Sequence, residues 1–351
     1  MDYIFDDQDL QLCYLPLPKG YPQSQTHCGV VCEGEKVYMT TSPYPLRKRS
    51  LCVVYAKAFI RKITANTFCN EERAEYYENP FLYIGNMSEG IPPRYFKLAS
   101  SNPLMPSPDP IQGLPSFNSD PTIFLEDGTV HVLNRVTHRG KNGFENRLFH
   151  ITGKIENDYF KLYGNNLLYE GGKKFISPCL VKYNEEYLLT YLDTNCYNDG
   201  KPNCELYIAK AGQIENLNHS NWKRIVIRSN SYIPWHMSLF VNNNRLYGVI
   251  ACVKNGEHHQ CFQMLGVFSE DLATLTIFQT PLCKFNSYRG AAFVRDDLFY
   301  LYTTTVHEKI QGGCSVDGRE VLVGTKKFED IVLKLRENDR RNGVYNNTSI
   351  Q

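Results

Sequence analysis

Ser119-Asp120-Pro121-Thr122-Ile123-Phe124-Leu125-Glu126-Asp127-Gly128-Thr129-Val130-His131-Val132-Leu133 holds a polar opening, a short apolar run, an Asp-Gly turn and a second apolar run. Asp-Gly between two such runs predicts a tight β-hairpin, because both residues tolerate the left-handed backbone of a two-residue connection. The plan recurs from His27 to Thr41, from Ser177 to Tyr191, from His236 to Ile250 and from Arg289 to Tyr302. Further strand pairs follow the first hairpin, as in Leu206–Ala209 with Trp222–Val226 and Met264–Phe268 with Leu275–Phe278. Each unit therefore reads as four antiparallel strands.

Five four-stranded units predict an all-β chain folded as a five-bladed β-propeller. The markers His27, Asp120, Ser177, His236 and Arg289 are spaced by about 55–60 residues except for a longer first interval, as expected if blade one carries an insertion. That insertion is placed at residues 46–76 and includes Tyr55–Lys62, read as a short helix or an extended hairpin. No Ser/Gly- or Pro-rich linker divides the chain, so residues 1–351 are expected to form one domain. The first twenty or so residues are expected to lend a closing strand to the last blade, and residues 337–351 to form a polar, frayed tail.

Composition narrows the function. With 38 Lys+Arg against 37 Asp+Glu the net charge is +1, which does not favour nucleic acid or an anionic membrane surface. No apolar stretch approaches the ~18 residues of a spanning helix, and the acidic start Met1-Asp2-Tyr3-Ile4-Phe5-Asp6-Asp7 does not read as a signal peptide. A soluble, cytoplasmic or virion-associated protein is the expectation, and homo-oligomer contacts stay open. Most of the 12 cysteines are expected as free thiols, with Cys32, Cys179 and Cys252 in apolar runs. Cys196, Cys204, His258, His259 and Cys261 fit no familiar zinc spacing, so neither a metal nor another cofactor is expected.

In a propeller the first strand of each blade lies nearest the axis, so the five opening residues should meet at one mouth. They are His27, Asp120, Ser177, His236 and Arg289, with Trp235 and Tyr288 directly before the last two. Loops returning to that end add Tyr44, Glu78, Asn79, Arg135, His138, Glu145 and Asn146. Rings beside carboxylates, amides and arginines suit sugars, whose faces stack and whose hydroxyls hydrogen-bond. A saccharide or polysaccharide is the expected partner.

Asp-Pro, an apolar strand and an Asp-Gly turn at Ser119–Gly128 resemble the blade start of the five-bladed propeller glycoside hydrolases, the arabinofuranosidase, xylosidase and invertase-like superfamily. Thr41-Ser42-Pro43-Tyr44-Pro45, Glu78-Asn79-Pro80 and Asn102-Pro103-Leu104 also resemble propellers encoded in bacteriophage and bacterial genomes. The first resemblance implies an Asp at the first blade start as base or nucleophile, an Asp at the second to orient substrate, and a Glu at the third as acid. Here the first is His27, the second keeps Asp120, and the third reads Phe175-Ile176-Ser177-Pro178. Two-carboxylate chemistry would then fall to Asp120 as base and Glu78 as acid, the groups lying about 5–5.5 Å apart for retention or ~6.5–9.5 Å for inversion. Arg289 or Arg135 would hold a substrate carboxylate or hydroxyl, and His27, Tyr44, Asn79, Trp235 and His236 would bind the ring. A degenerate hydrolase, a non-catalytic glycan-binding or virion attachment module, and a plain scaffold are the alternatives. A serine hydrolase is discounted because no Gly-x-Ser-x-Gly elbow is present.

Overall fold

The computed structural model describes residues 2–18, 24–43, 47–50, 79–106, 116–140, 143–194, 203–254, 257–311 and 314–343. These residues are mostly β. Gln25–Glu33, Lys36–Pro43, Phe81–Asn86 and Phe96–Leu98 form one four-stranded sheet in that order, and Ser116–Glu126, Thr129–Gly140, Gly143–Glu156 and Tyr159–Gly171 form another. Ile176–Tyr183, Glu186–Thr194, Cys204–Ala211 and Lys223–Arg228 run antiparallel. Lys223–Arg228 then pairs in parallel with Thr274–Ile277, the outer strand of a run completed by Glu257–Phe268, Arg245–Lys254 and Tyr232–Asn242, giving one eight-stranded sheet. The last sheet carries Ser287–Arg295, Leu298–Gln311 and Cys314–Lys327.

The N-terminal segment closes that last sheet. Leu10–Leu12 pairs antiparallel with Leu322–Gly324, and Phe5, fully buried, packs beside Phe299. Burying an aromatic ring gives this short strand an anchor that three residues of ladder alone would lack.

Turn chemistry explains the hairpins. Asp127 and Gly128, Asn184 and Glu185, Asn243 and Asn244, and Asp296 and Asp297 all have φ between 47° and 70°, so both central residues of each turn are left-handed. That is the two-residue geometry whose twist matches the flanking strands. The inner strands are buried along nearly their whole length, and their apolar residues form clusters between neighbouring units, such as Leu133, Leu148, Phe175, Leu180 and Leu189. The opening strands Gln25–Glu33, Ser116–Glu126, Ile176–Tyr183, Tyr232–Asn242 and Ser287–Arg295 each pack on the next, and the last packs on the first. They close a ring.

The sequence reading departs from the structure at the C-terminus. Phe328–Arg341 is an α-helix (α1), so residues 337–341, read as part of a frayed tail, form its last turn. Phe328, Ile331 and Leu335 recur at helical spacing and are buried against Phe240, Tyr247 and Phe299. Residues 344–351 lie outside the described residues. So does nearly all of the 46–76 insertion, of which Arg47–Ser50 is a strand paired with Cys314–Asp317. The described cysteines are all free, and Cys179 and Cys252 are buried as expected. No described helix is long and apolar enough to cross a membrane.

Candidate functional site at the ring axis

Every opening strand has the same irregularity at its start. Register against the second strand slips by one residue between Thr26 and Gly29, Ser119 and Thr122, Ile176 and Cys179, Pro234 and His236, and Ser287 and Gly290. An extra residue bends a strand and re-aims its side chains. His27, Asp120 and Ser177 sit in these bulges with φ of 55°, 51° and 48°, a left-handed backbone that L-residues adopt at a cost of roughly 1–2 kcal/mol each. The repeated bulge turns residues from separate units toward one point.

Asp120 is at its centre and fully buried. Its Oδ2 accepts from Arg135, 2.8 Å away, and from the Ser177 backbone N–H at 3.3 Å. Its Oδ1 lies 3.4 Å from His27 Nε2, 3.5 Å from His236 Nδ1 and 3.8 Å from Arg289 Nη1. Arg135 is held in turn by Ser119 Oγ at 3.0 Å and the Lys174 carbonyl at 2.9 Å. Ser177 Oγ is 2.7 Å from His236 Nδ1. Tyr288 lies beside both imidazoles, at 5.3 Å from His27 and 4.6 Å from His236. Its other neighbour is Arg319, whose guanidinium carbon stands 4.0 Å over the ring while Nη1 donates to Thr26 Oγ1 at 2.9 Å.

Charge and burial set the protonation states. Burial pushes the Asp120 carboxyl up, but the guanidinium of Arg135, with His27, His236 and Arg289 around it, outweighs burial and holds the group well below the usual carboxylate range. Burial lowers both histidines: His236 falls to about 3 and His27 falls well below its ordinary value, against the opposing pull of Asp120. At neutral pH the cluster thus holds one carboxylate, two neutral imidazoles and the three guanidinium groups of Arg135, Arg289 and Arg319. Positive charge is in excess.

His27, Asp120, Arg135, Ser177, His236, Tyr288 and Arg289, all named from the sequence for the mouth, are brought together here. Trp235 occupies its own bulge, half-buried, with its ring 5.3 Å from that of His236. Asn79 is buried in a different arrangement, accepting from Asn118 at 2.8 Å, while Asn118 accepts from Asn134 at 2.8 Å. His138 pairs with Glu145 at 3.0 Å, and Asn146 bonds Thr137 and the Lys173 carbonyl. Glu78 and Tyr44 lie outside the described residues. Arg319 was missed, since it comes from the third strand of the last sheet; a charged residue leading the apolar alternation of Val321 and Val323 was the available signal.

No protein-family model and no curated protein sequence matches the chain. Solved structures do match. An N-acetylgalactosamine deacetylase from F. plautii, in complex with blood group B trisaccharide, superposes with a TM-score of 0.61 at 13% identity, over 91% of this chain and 93% of that one. Xylan β-1,4-xylosidase from Bacillus Halodurans C-125 gives 0.59 at 12% identity, over 87% of this chain and 53% of that one, so this chain spans about half its length. An α-L-arabinofuranosidase from Lactobacillus brevis gives 0.52 at 12% identity, over 86% and 90%. At such identities the likeness establishes the fold. The chain has the β-propeller fold that these proteins share.

Proposed function

We propose that this is a five-bladed, carbohydrate-active propeller, hydrolase-like in architecture, that takes a saccharide at the axial cluster. The observation that carries the proposal is the bulge repeated in each of the five opening strands, which gathers His27, Asp120, Ser177, His236 and Arg289 at one end of the ring. A purely structural axis would be filled more cheaply by apolar side chains, because each buried charge must recover its lost hydration. The ring of opening strands supports the five-blade count, with the eight-stranded sheet counted as two blades joined at their outer edges. For hydrolysis, Glu78 is proposed as acid and Asp120 as base, with Arg289 and the histidines holding the sugar.

The second reading is glycan binding without turnover, as in a virion attachment component. It is favoured by the state of Asp120: a carboxylate held far below its usual range by Arg135 is a weak proton acceptor and a good orienting charge. One screen separates the two. Aryl glycosides and polysaccharides are assayed for reducing ends, and N-acetylated oligosaccharides for released acetate, since one structural neighbour is a sugar deacetylase. Turnover by the wild type that is lost in Asp120→Asn and Glu78→Gln supports the pair. Turnover unchanged in both folded variants removes those roles, and saccharide binding with no product supports the second reading.

A further inference from the structure

The geometry points to the outer strand Tyr159–Gly171 as a docking edge for a second copy of this chain, the two strands pairing antiparallel about a two-fold axis at Asn165. This strand is the outermost of its sheet and shares no residue with the axial cluster, so the edge stands whether or not a saccharide binds at the axis.

A strand edge with unpaired N–H and C=O groups is a template for another chain, and folded proteins commonly shorten or cover such edges. Most outer strands here follow that rule. Lys223–Arg228 is joined in parallel to Thr274–Ile277, Phe96–Leu98 and Leu10–Leu12 have three residues each, and Arg47–Ser50 has four. Tyr159–Gly171 runs for 13 residues and, among the described residues, pairs with no strand but Gly143–Glu156 on its inner side. The Ser100 N–H and Ser101 Oγ donate to the Asp158 and Phe160 carbonyls at 3.1 and 2.8 Å. These bonds cap the start of the strand, and among the described residues its outer edge is open from Lys161 onward.

The side chains are not those of an edge left to water. Tyr159, Leu162, Tyr163 and Leu167 are each about half exposed. Four large apolar side chains along one open strand make a contiguous strip, and such strips mark an interface where a single exposed leucine would not.

Register says which partner fits. Leu162, Asn165 and Leu167 oppose Gly153, Ile151 and Phe149 of the inner neighbour, positions two apart, so the three side chains share one face. The bulge at Tyr163 produces this spacing, which sets the two leucines evenly on either side of Asn165. Two identical antiparallel strands have their two-fold axis where a residue stands opposite itself. With Asn165 as that residue, Leu162 of each copy stands opposite Leu167 of the other, and the two Asn165 amides meet at the axis. Even spacing about one residue is what a self-paired edge requires and an unrelated partner does not, which favours a second copy. Lys161 and Glu170 sit toward opposite ends of the strand, so antiparallel pairing turns unlike charges toward each other, and a net charge of +1 leaves little repulsion between copies.

The test is sedimentation velocity on the full chain from about 1 to about 100 μM, a range suited to a contact as small as two paired strands. The wild type is expected to pass from monomer to dimer within it. Leu162→Lys with Leu167→Lys sets like charges opposite each other in both pairs and is expected to raise the dissociation constant at least about tenfold. Leu162→Lys with Leu167→Glu sets unlike charges opposite each other and is expected to dimerise at least about fivefold more tightly than the double lysine variant. Both variants change exposed side chains and are first shown to be folded by circular dichroism. A wild type that stays monomeric throughout overturns the edge, as does a dimer that the double lysine variant leaves unchanged. Equal weakening by the two variants overturns the register about Asn165.

Discussion

Asp120 is the residue on which the axis depends. It is the only carboxylate that the described residues bring into a cluster of three arginines, and it is fully buried. Removing one partner of a buried ion pair leaves the other unpaired, at a cost of about 3–5 kcal/mol. Asp120→Asn is therefore expected to lower stability by that order in urea denaturation, and Asp120→Asn with Arg135→Met by less than the two single losses together. A loss under about 1 kcal/mol for Asp120→Asn would mean that solvent compensates the arginines.

Away from the axis, His131 and His150 stack at 5.2 Å and share a hydrogen bond of 2.9 Å on the second sheet. Burial, then the neighbouring His131, lowers His150 to about 4. The folded state thus binds fewer protons than the unfolded chain between pH ~6.5 and about 4, so stability is full above that window and is lost as pH falls through it. His150→Gln is expected to flatten the decline of unfolding free energy over this range by up to about 1.4 kcal/mol per pH unit. An unchanged slope would contradict the assignment.

Among elements, the hairpins were legible because Asp-Gly, Asn-Glu, Asn-Asn and Asp-Asp turns sit between apolar runs, and these residues accept the left-handed backbone that the structure gives them. The bulges were not legible, since a one-residue slip in hydrogen-bond register leaves no periodicity behind. The reading found the marker residues by their polarity and did not find the device that aims them. Helix α1 was missed although Phe328, Ile331, Val332 and Leu335 keep a helical period, because its polar end dominated the reading of the tail. Arg319 joins the site through packing between units, which is a property of the assembled ring.

Helix α1 carries its own titrating anchor. Asp339 is 1% exposed and accepts from the Gln279 backbone N–H at 3.0 Å. Burial raises its carboxyl to about 6, so the folded state holds the proton more tightly than the unfolded chain, and stability from this group is lost as pH rises from about 4 to about 6. Asp339→Asn keeps an acceptor and removes the buried charge. The variant is expected to melt higher than the wild type at pH 7.5 and equally at pH 4; a lower Tm at pH 7.5 would show that the charge is needed.

At the scale of the whole molecule, closure is what brings residues far apart in sequence to one place. The N-terminal strand completes the last sheet, and Phe5 fills the space beneath it against Phe299. Phe5→Ala is expected to cost about 3–5 kcal/mol, read as a lower urea midpoint with little change in slope. A loss below about 1 kcal/mol would indicate that the ring stays shut without the anchor.

The axial saccharide site is tested most directly by a glycan array probed with the wild type and with Arg289→Gln, both confirmed to be folded. The expected result is binding of the wild type to a defined set of saccharides and a drop of about tenfold or more in the variant, the loss of roughly one charge-assisted hydrogen bond. Binding to no saccharide, or equal binding by both proteins, would contradict it.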